Sequence, residues 1–370
     1  MIQHLIAFSM IKGLGPVTVK NLVAYLGSPE KISTTHPSKL LKIPNIGTKT
    51  LDLLKQLPAA LQAAEKEINF CEKNHIQMLA YTAENYPKNL KFVHDAPLVL
   101  FQKGKVSLNA QANFAIVGTR QPSEYGKECA AQFAAFFAER GINVVSGLAY
   151  GIDITAHKTV LQHFGITTAV VGHGLDRIYP STHYDKAQQM LERGGWISEF
   201  VSGTKPDAPN FPARNRIISG ISDAIIVIEA AKSGGALITA RFGAEQNRLV
   251  YAIPGELGKQ YAEGCNILIR DSIAKLVMSP QEVLDDLDIK WETNLLPFHQ
   301  VENESLMDDE NMTTQELKVM QALQTGEKLI DGLSHETEIE MSELNGLLVM
   351  MEFKGWILQL PGKKFKKQSS

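Results

Sequence analysis

FAIVG at residues 114–118 is the first of five short apolar runs that decide the fold of this chain. The others are NVVSG at 143–147, TTAVVG at 167–172, AIIVIEA at 224–230 and LVYAI at 249–253. Their Val, Ile and Ala residues do not alternate with polar ones, a pattern typical of strands buried on both faces of a parallel sheet. Helical patterns at 125–140, 153–163, 183–193 and 236–247 accompany the runs. The sequence therefore predicts an α/β fold with a parallel sheet covered by helices.

Nearly every apolar run ends in a glycine-rich turn, and right-handed crossovers bring those ends to one edge of the sheet, where ligands bind in open α/β folds. The first turn holds Gly118, Thr119 and Arg120, which offer free N–H groups, a hydroxyl and a bidentate guanidinium. These groups suit a phosphate, although Arg120 could instead pair with a local carboxylate such as Glu124. Neither a Walker A loop nor a Gly-x-Gly-x-x-Gly fingerprint occurs there, so we expect neither ATP nor NAD as a cofactor.

The segment FPARNR at 211–216 is the most unusual in the chain. Phe211 could stack on a base while Arg214 and Arg216 bind the backbone, a combination that holds single-stranded nucleic acid. Lys205 could add charge to the same rim. The alternative is that Phe211 belongs to the core and that both arginines pair with acidic residues, of which Asp153, Asp223 and Glu229 are the candidates.

Two further turns lie at the predicted ligand edge. SGLAYGID at 146–153 places Gly147 there, and its Asp153 suits helix capping or an arginine contact better than a role as general base. The turn Ser233-Gly234-Gly235 follows the fourth apolar run. The sequence shows no histidine, cysteine or carboxylate spacing typical of a catalytic or metal site, so we expect a binding protein and not an enzyme.

Regions of different composition flank the predicted sheet domain at 114–288. Residues 1–75 carry short helical patterns and two candidate helix–hairpin–helix turns, at 11–15 and 43–47, whose N–H groups could bind DNA phosphates. A small helical packing or protein-binding module is the alternative. Asn45 replaces the first glycine of the second turn and tolerates positive φ. We expect an irregular connecting segment at 76–113, an acidic linker at 289–311, and a helix–turn–helix–wing domain with a basic tail at 312–370.

The composition is that of an ordinary globular protein, with 44% hydrophobic and 21% charged residues and a formal net charge of −3. Ten acidic residues and one lysine lie between residues 282 and 310, so the other segments together carry about +6, which is compatible with a polyanionic partner. The three cysteines are far apart in sequence, which suits a reducing cytoplasm. We expect no secretory signal and no membrane-spanning segment.

Taken in order, these motifs resemble those of the DNA-processing protein A family (DprA, also called Smf). The resemblance rests on VGTR (117–120) with Tyr125-Gly126, SGLAYGID (146–153), GHGLD (172–176) with Tyr179-Pro180, FPARNRIISG (211–220), SGGALITAR (233–241), Pro254-Gly255 and GCNILI (264–269). It implies an extended Rossmann-like core that binds single-stranded DNA. It also implies a sterile-alpha-motif-like helical domain before the core and a winged-helix-like domain after it.

The resemblance further implies roles for single residues. By it, the Gly118–Arg120 turn would bind phosphates, Phe211 would contact a base, and Arg214 and Asn215 would shape the pocket. The complete set of expected DNA-binding residues is Gly118, Thr119, Arg120, Gly147, Lys205, Phe211, Arg214, Asn215, Arg216, Ser233 and Gly234. A homodimer that protects incoming single strands and loads RecA recombinase onto them in natural transformation is implied as well.

Two other functions stay open at this point. An enzyme or sensor could use the same fold for a nucleotide-derived ligand, as a nucleotide phosphoribohydrolase does with a Pro-Gly-Gly-x-Gly-Thr loop. The corresponding turn here, SGGA at 233–236, has neither the proline nor the Gly-Thr pair. A protein that acts only as a scaffold through its terminal domains would leave the isolated core at 114–277 without DNA binding.

Overall fold

The computed structural model describes residues 1–287, 313–323, 326–353, 356–360 and 364–367, without the side chains of residues 314, 342, 349, 353 and 359. The chain divides into two compact units, within residues 1–293 and 294–370. The predicted acidic linker at 289–311 lies outside the described residues. Among the residues that are described, no helix combines the length and the apolar character needed to cross a membrane.

Nine strands within residues 1–287 form one sheet. They are β1 (Gln77–Ala80), β2 (Val99–Gly104), β3 (Asn113–Val117), β4 (Asn143–Ser146), β5 (Thr167–Val170), β6 (Gly195–Ser198), β7 (Ala224–Val227), β8 (Leu249–Ala252) and β9 (Lys275–Leu276). Their order in the sheet is β1-β2-β6-β5-β4-β3-β7-β8-β9. The seven strands from β6 to β9 are parallel, whereas β2 pairs antiparallel with both β6 and β1. The predicted parallel sheet is thereby confirmed.

The expectation of an irregular segment at 76–113 is wrong. This region contributes β1 and β2, which extend the sheet beyond β6, and the short helix α7 between them. One partner of β2 is the neighbouring β1, but the other is β6, which lies more than 90 residues further along the chain. No local sequence pattern indicates the pairing of β2 with β6. An otherwise parallel sheet commonly carries such antiparallel strands at its edge.

Helices cover both faces of this sheet. The helices of the first unit are α1 (Ile2–Met10), α2 (Pro16–Leu26), α3 (Pro29–Thr34), α4 (Pro37–Leu40), α5 (Thr48–Leu54), α6 (Leu57–Lys73), α7 (Lys88–Lys91), α8 (Glu124–Glu139), α9 (Ile152–Gln162), α10 (Tyr184–Met190), α11 (Asn210–Ile221), α12 (Gly235–Glu245), α13 (Glu263–Arg270) and α14 (Pro280–Asp286). Phe114 and Ile116 of β3 pack with α8 and α9, while Ala115 and Val117 pack with α11 and α12. The apolar runs lack polar alternation because both faces of each strand are buried.

The strand order reverses around β3. From β3 the chain proceeds through β4, β5 and β6 on one side, and through β7, β8 and β9 on the other. Connections that leave in opposite directions open a crevice at the carboxyl ends of the central strands. The candidate turns that follow β3, β4 and β7 therefore lie at this edge, whereas the candidates from Lys205 to Arg216 follow β6.

The first six helices form a layer that packs through an apolar cluster against the β1–β2–β6 end of the sheet. Its two hairpin turns have the same geometry: Leu14 N–H donates to Ile11 O, and Ile46 N–H donates to Ile43 O. Asn45 has a φ of +66°, which confirms that asparagine takes the left-handed position in the second turn.

The second unit is a small winged-helix arrangement. It contains α15 (Thr314–Ala322), β10 (Lys328–Leu329), α16 (Ile330–Thr337), α17 (Met341–Phe353), β11 (Ile357–Leu360) and β12 (Lys364–Lys367), with the sheet order β10-β12-β11. Thr313 and Glu316 form a reciprocal capping box at the start of α15. The predicted winged helix is confirmed, whereas α16 was not predicted as a separate helix.

Candidate nucleic-acid interface

A cleft of about 620 Å³ opens at the carboxyl ends of β3 and β7. Its walls are the turn after β3, the first turns of α11 and α12, and residues Gln260 and Tyr261 from the loop after β8. Eight of the predicted site residues contribute to these walls, namely Gly118, Thr119, Arg120, Phe211, Arg214, Asn215, Ser233 and Gly234. Segments that are more than 100 residues apart in sequence thus meet at one place.

The N-terminus of α12 opens into the cleft without a cap. Gly234 is the N-cap residue, its backbone is extended, and no side chain accepts a hydrogen bond from the first turn. Within the described part of the chain, the amides of Gly234, Gly235 and Ala236 donate to no acceptor. An uncapped helix start presents free N–H groups and the positive end of the helix dipole, which together favour an anion.

The turn after β3 differs from what the sequence suggests, because most of its donors are used internally. Thr119 N–H donates to Glu229 O at 2.7 Å, and Gln121 N–H donates to Thr119 Oγ1 at 3.2 Å. The helix that follows, α8, is closed by Ser123 and by the Glu229 carboxylate, which accepts from Ser123 N–H at 2.9 Å and from Ser123 Oγ. The N-terminus of α8 is therefore filled by an internal anion, and Arg120 supplies the cation of this turn.

Arg120 is exposed, and no ion pair involves it within the described ranges. The alternative partner, Glu124, pairs with Lys127 instead, at 2.6 Å. The guanidinium carbon of Arg120 lies 5.8 Å from the centre of the Phe211 ring, a distance at which a cation and an aromatic face attract each other. The positive charge is therefore held at the cleft and is free to meet a ligand.

Phe211 is half-buried and belongs to none of the apolar clusters of the core. Its ring lies 5.9 Å from the ring of Tyr179, with an angle of 35° between the two planes. Tyr179 is 46% exposed, so the pair presents an aromatic surface to solvent. Nothing local in the sequence indicates that Tyr179 contacts a residue 32 positions further along the chain.

Arg214 plays a different part, since it is only 4% exposed. Its guanidinium donates to Gly147 O at 2.7 Å and also to Val170 O, and its Nε donates to Asn215 Oδ1 at 3.1 Å. Burial lowers the pKa of Arg214 to about 10, which leaves it charged at neutral pH. It braces the carboxyl ends of β4 and β5 beneath the cleft.

Asp153 supplies the nearest compensating charge for Arg214. Its carboxylate accepts from Gly147 N–H at 3.0 Å and from Ala149 N–H at 3.3 Å. Gly147 therefore contacts Asp153 through its N–H and Arg214 through its carbonyl. This arrangement leaves little room at Gly147, where an added Cβ would lie 2.5 Å from the Arg214 guanidinium.

Three of the predicted residues do not line the cleft: Gly147, Lys205 and Arg216. Arg216 contacts Glu199 and Asp95, with 3.3 Å between its Nε and the Asp95 carboxylate. The prediction that Arg216 joins Arg120 and Phe211 in one cluster is therefore wrong. Two residues along a helix correspond to about 200° of rotation, so Arg214 and Arg216 point in different directions.

Metal chemistry finds no support in the parts of the chain that are described, since no group of three His, Cys, Asp or Glu side chains could hold an ion there. The cleft instead combines main-chain donors, one exposed guanidinium and an aromatic pair. Such a set can bind phosphate groups and stack on flat rings at the same time.

Comparison with known proteins also links this chain to DNA-binding proteins. The family model for DNA recombination-mediator protein A matches residues 77–288, and that for the DprA winged helix domain matches residues 305–363. Among curated relatives, Protein Smf of Escherichia coli (strain K12) is 36% identical over 306 residues, which cover 81% of this chain and 80% of that protein.

Two solved structures are also similar to this chain. DNA processing protein A of Streptococcus pneumoniae aligns with a TM-score of 0.63 and 30% identity, over 77% of this chain and 97% of its own. DNA processing protein A of Helicobacter pylori, solved to show its single-stranded DNA binding mode, aligns with a TM-score of 0.52 and 29% identity, over 57% of this chain and 95% of its own.

Proposed function

Because this chain belongs to the DNA recombination-mediator protein A family, we propose that its cleft binds single-stranded DNA. The open N-terminus of α12 and the Arg120 guanidinium receive phosphate groups, and the Phe211–Tyr179 surface receives a base. The likeness to the Helicobacter pylori protein, whose structure concerns single-stranded DNA binding, supports this assignment.

The observation that carries the proposal is that a helix start and an arginine held against an aromatic ring line the same cleft, and that the described residues give the helix start no cap and the arginine no ion pair. Main-chain N–H groups and a guanidinium bind the backbone of any sequence, and every base has a face that can stack. Binding is therefore expected to be largely independent of sequence. In a duplex the bases are stacked inside the helix, so the aromatic surface discriminates in favour of unpaired strands.

The catalytic, oligomeric and cellular properties of the protein are proposals as well. We infer from the family that the protein acts without catalysis in the cytoplasm, as a homodimer that protects single strands and delivers them to RecA recombinase. The sequence-based domain boundaries at 75, 288 and 311 belong to the same proposal, whereas the boundary at 113 is given up because β2 pairs with β6 in the core sheet. Gly147, Arg214 and Asn215 hold the cleft in shape, while Lys205 adds positive charge six residues before Phe211 in the sequence.

The test is a titration of labelled single- and double-stranded oligonucleotides of equal length over a range of salt concentrations. We expect the single strand to bind at least tenfold more tightly, with a logarithm of affinity that falls linearly with the logarithm of salt concentration. Equal affinity for both forms would contradict the assignment. Steady hydrolysis of a nucleotide by the purified protein would favour the enzyme alternative. Single-stranded DNA binding by the full chain that is unchanged when Arg120→Ala and Phe211→Ala are combined would favour a scaffold that acts through its terminal domains.

RecA delivery requires a separate measurement. Filament assembly of RecA on single strands, followed with and without this protein, should be faster in its presence. If assembly is unchanged or slower while single-stranded DNA still binds, the protein protects the strand without loading the recombinase.

A further inference from the structure

A second cavity, of about 780 Å³, lies beside the cleft at the carboxyl ends of β7 and β8. Its walls include Tyr125, Glu229, Pro254, Lys259 and Tyr261. None of the expected DNA-binding residues lies in these walls. The proposed function therefore leaves the second cavity without an occupant.

The two cavities share a wall. Gln260 and Tyr261 line both of them. The Tyr261 hydroxyl donates to Gln121 Oε1 at 2.5 Å, and Gln121 directly follows Arg120, so this wall stands next to the proposed phosphate contact. A strand that leaves the cleft past Arg120 would meet the second cavity next.

The chemistry of the second cavity differs from that of the cleft. The N-terminus of α8, which could otherwise receive a phosphate, is already occupied by the Glu229 carboxylate. Glu229 and Glu256 contribute negative charge, and Lys259 is the cation among the described lining residues. An anion is therefore disfavoured deep inside, where Glu229 is only 8% exposed.

A flat ring that carries N–H donors is favoured instead. Tyr125 offers a half-exposed aromatic ring, and Ile228 and Ile253 provide apolar walls. Each Glu229 oxygen accepts one hydrogen bond from Ser123 and can accept another, because a carboxylate oxygen has two lone pairs. The Pro254 carbonyl, to which the Tyr125 hydroxyl donates at 3.3 Å, is a further acceptor.

We propose that the second cavity is a nucleobase subsite, which takes the base of a nucleotide adjacent to the one held in the cleft. It favours bases with an exocyclic amino group, such as cytosine or adenine, because the Glu229 carboxylate and the Pro254 carbonyl in its walls are acceptors. The proposal rests on the proposed binding of single-stranded DNA and adds a second base contact to it. The strand would then be held by two aromatic surfaces, Phe211 on one side of the Tyr261 wall and Tyr125 on the other.

The test compares the variants Tyr125→Ala and Tyr125→Phe with the unchanged protein, using dC12, dT12 and a 12-residue abasic strand at fixed salt. We expect Tyr125→Ala to bind dC12 about tenfold more weakly, as loss of one stacked base implies. Tyr125→Phe, which keeps the ring, should stay within about twofold. Tyr25→Ala is the matched control, because it removes an exposed tyrosine of the N-terminal helices that lines neither cavity.

The abasic strand and the thymine strand separate the possible outcomes. With no bases to stack, the abasic strand should bind equally to Tyr125→Ala and to the unchanged protein, and dC12 should bind several-fold more tightly than dT12. If Tyr125→Ala leaves dC12 binding intact, or Tyr125→Phe weakens it as much as Tyr125→Ala does, the subsite is refuted while the proposed function stands. If the unchanged protein binds none of the strands, the proposed function itself fails.

Discussion

The guanidinium of Arg120 rests against the ring of Phe211, with 5.8 Å between the guanidinium carbon and the ring centre. The two residues are 91 positions apart, and one follows β3 while the other opens α11. Their contact places a cation and a stacking surface side by side, next to the open N-terminus of α12.

Replacing Arg120 by alanine should weaken single-stranded DNA binding by about 1.5–3 kcal/mol, the value of one charge-assisted hydrogen bond. The slope of affinity against salt should become shallower by about 0.7, as expected when one phosphate contact on a single strand is lost. Fluorescence anisotropy at several salt concentrations measures both quantities. Arg193→Ala is the matched control, because that arginine lies 5.6 Å from the Phe164 ring in an equivalent contact outside the cleft. Equal losses in the two variants would rule out a specific role for Arg120.

Phe211→Ala should weaken binding by about 1–3 kcal/mol through loss of base stacking. Phe211→Tyr keeps the aromatic face and should bind normally. Tyr179→Ala tests the second ring of the surface, and we expect a smaller loss because Phe211 remains. The same titration serves for all three variants. A salt slope that changes in Phe211→Ala would indicate that a charge, and not the ring, had been displaced.

Gly234→Ala tests whether the space beside Gly234 is needed for a ligand or for the stability of the fold. An added Cβ at Gly234 meets no atom within 4 Å, and the backbone there is extended, so the unfolding free energy should stay within about 0.5 kcal/mol of the original. Binding should still weaken, because the methyl group crowds the open N-terminus of α12. Gly264→Ala is the contrast: its Cβ would lie 2.5 Å from Ala230 O, and we expect a loss of about 1–3 kcal/mol in stability. Unaltered DNA affinity in Gly234→Ala would move the phosphate site away from this helix.

Arg214→Met should act on stability more than on binding. The change leaves Asp153 buried without its compensating charge and removes the donor to Gly147 O, which typically costs about 3–5 kcal/mol. Urea unfolding monitored by circular dichroism measures the loss. Adding Asp153→Asn to Arg214→Met should recover part of it, since the uncompensated charge is then gone. A fully stable Arg214→Met protein that no longer binds DNA would show that Arg214 contacts the ligand directly.

The buried His157 makes the free energy of unfolding depend on pH. Thr167 donates its hydroxyl proton to Val144 O, so the 2.6 Å contact with His157 requires that Nδ1 of the histidine be the donor. Nε2 is then unprotonated, buried and without a partner in the described part of the structure. Burial lowers the pKa of His157 to about 3, and the nearby His183 and Arg214 act in the same direction.

Because that pKa lies below the ordinary value of 6.5, the unfolded chain binds a proton between pH 6.5 and 3 that the folded chain does not. The stabilisation is complete above pH 6.5 and is lost as the pH falls, by about 2 kcal/mol at pH 5. His157→Asn, whose amide can still donate to Thr167, should lose less stability between pH 7 and pH 5. Urea unfolding at the two pH values checks this, and equal losses in both proteins would assign the effect to other groups.

The order of apolar runs and glycine turns was sufficient to predict the parallel sheet and its ligand edge. Burial on both faces imposes a composition that can be recognised within five residues, as in the FAIVG run of β3. The same reasoning brings Arg120 and Phe211 to one edge, because parallel strands end together. The pairing of β2 with β6 was missed, since each segment is short and the partner lies far away in sequence.

The sequence by itself determined the fold class and the sheet edge at which we propose that a ligand binds, because these follow from periodicity within short segments and from the handedness of the connections. Only the tertiary structure decided which charges are available there. Arg216 is neutralised by Asp95 and Glu199, Arg214 is buried beneath the cleft, and Glu229 fills the N-terminus of α8. A side chain's charge is cancelled or left free by its neighbours in space, and those neighbours come from strands and loops that no local pattern connects.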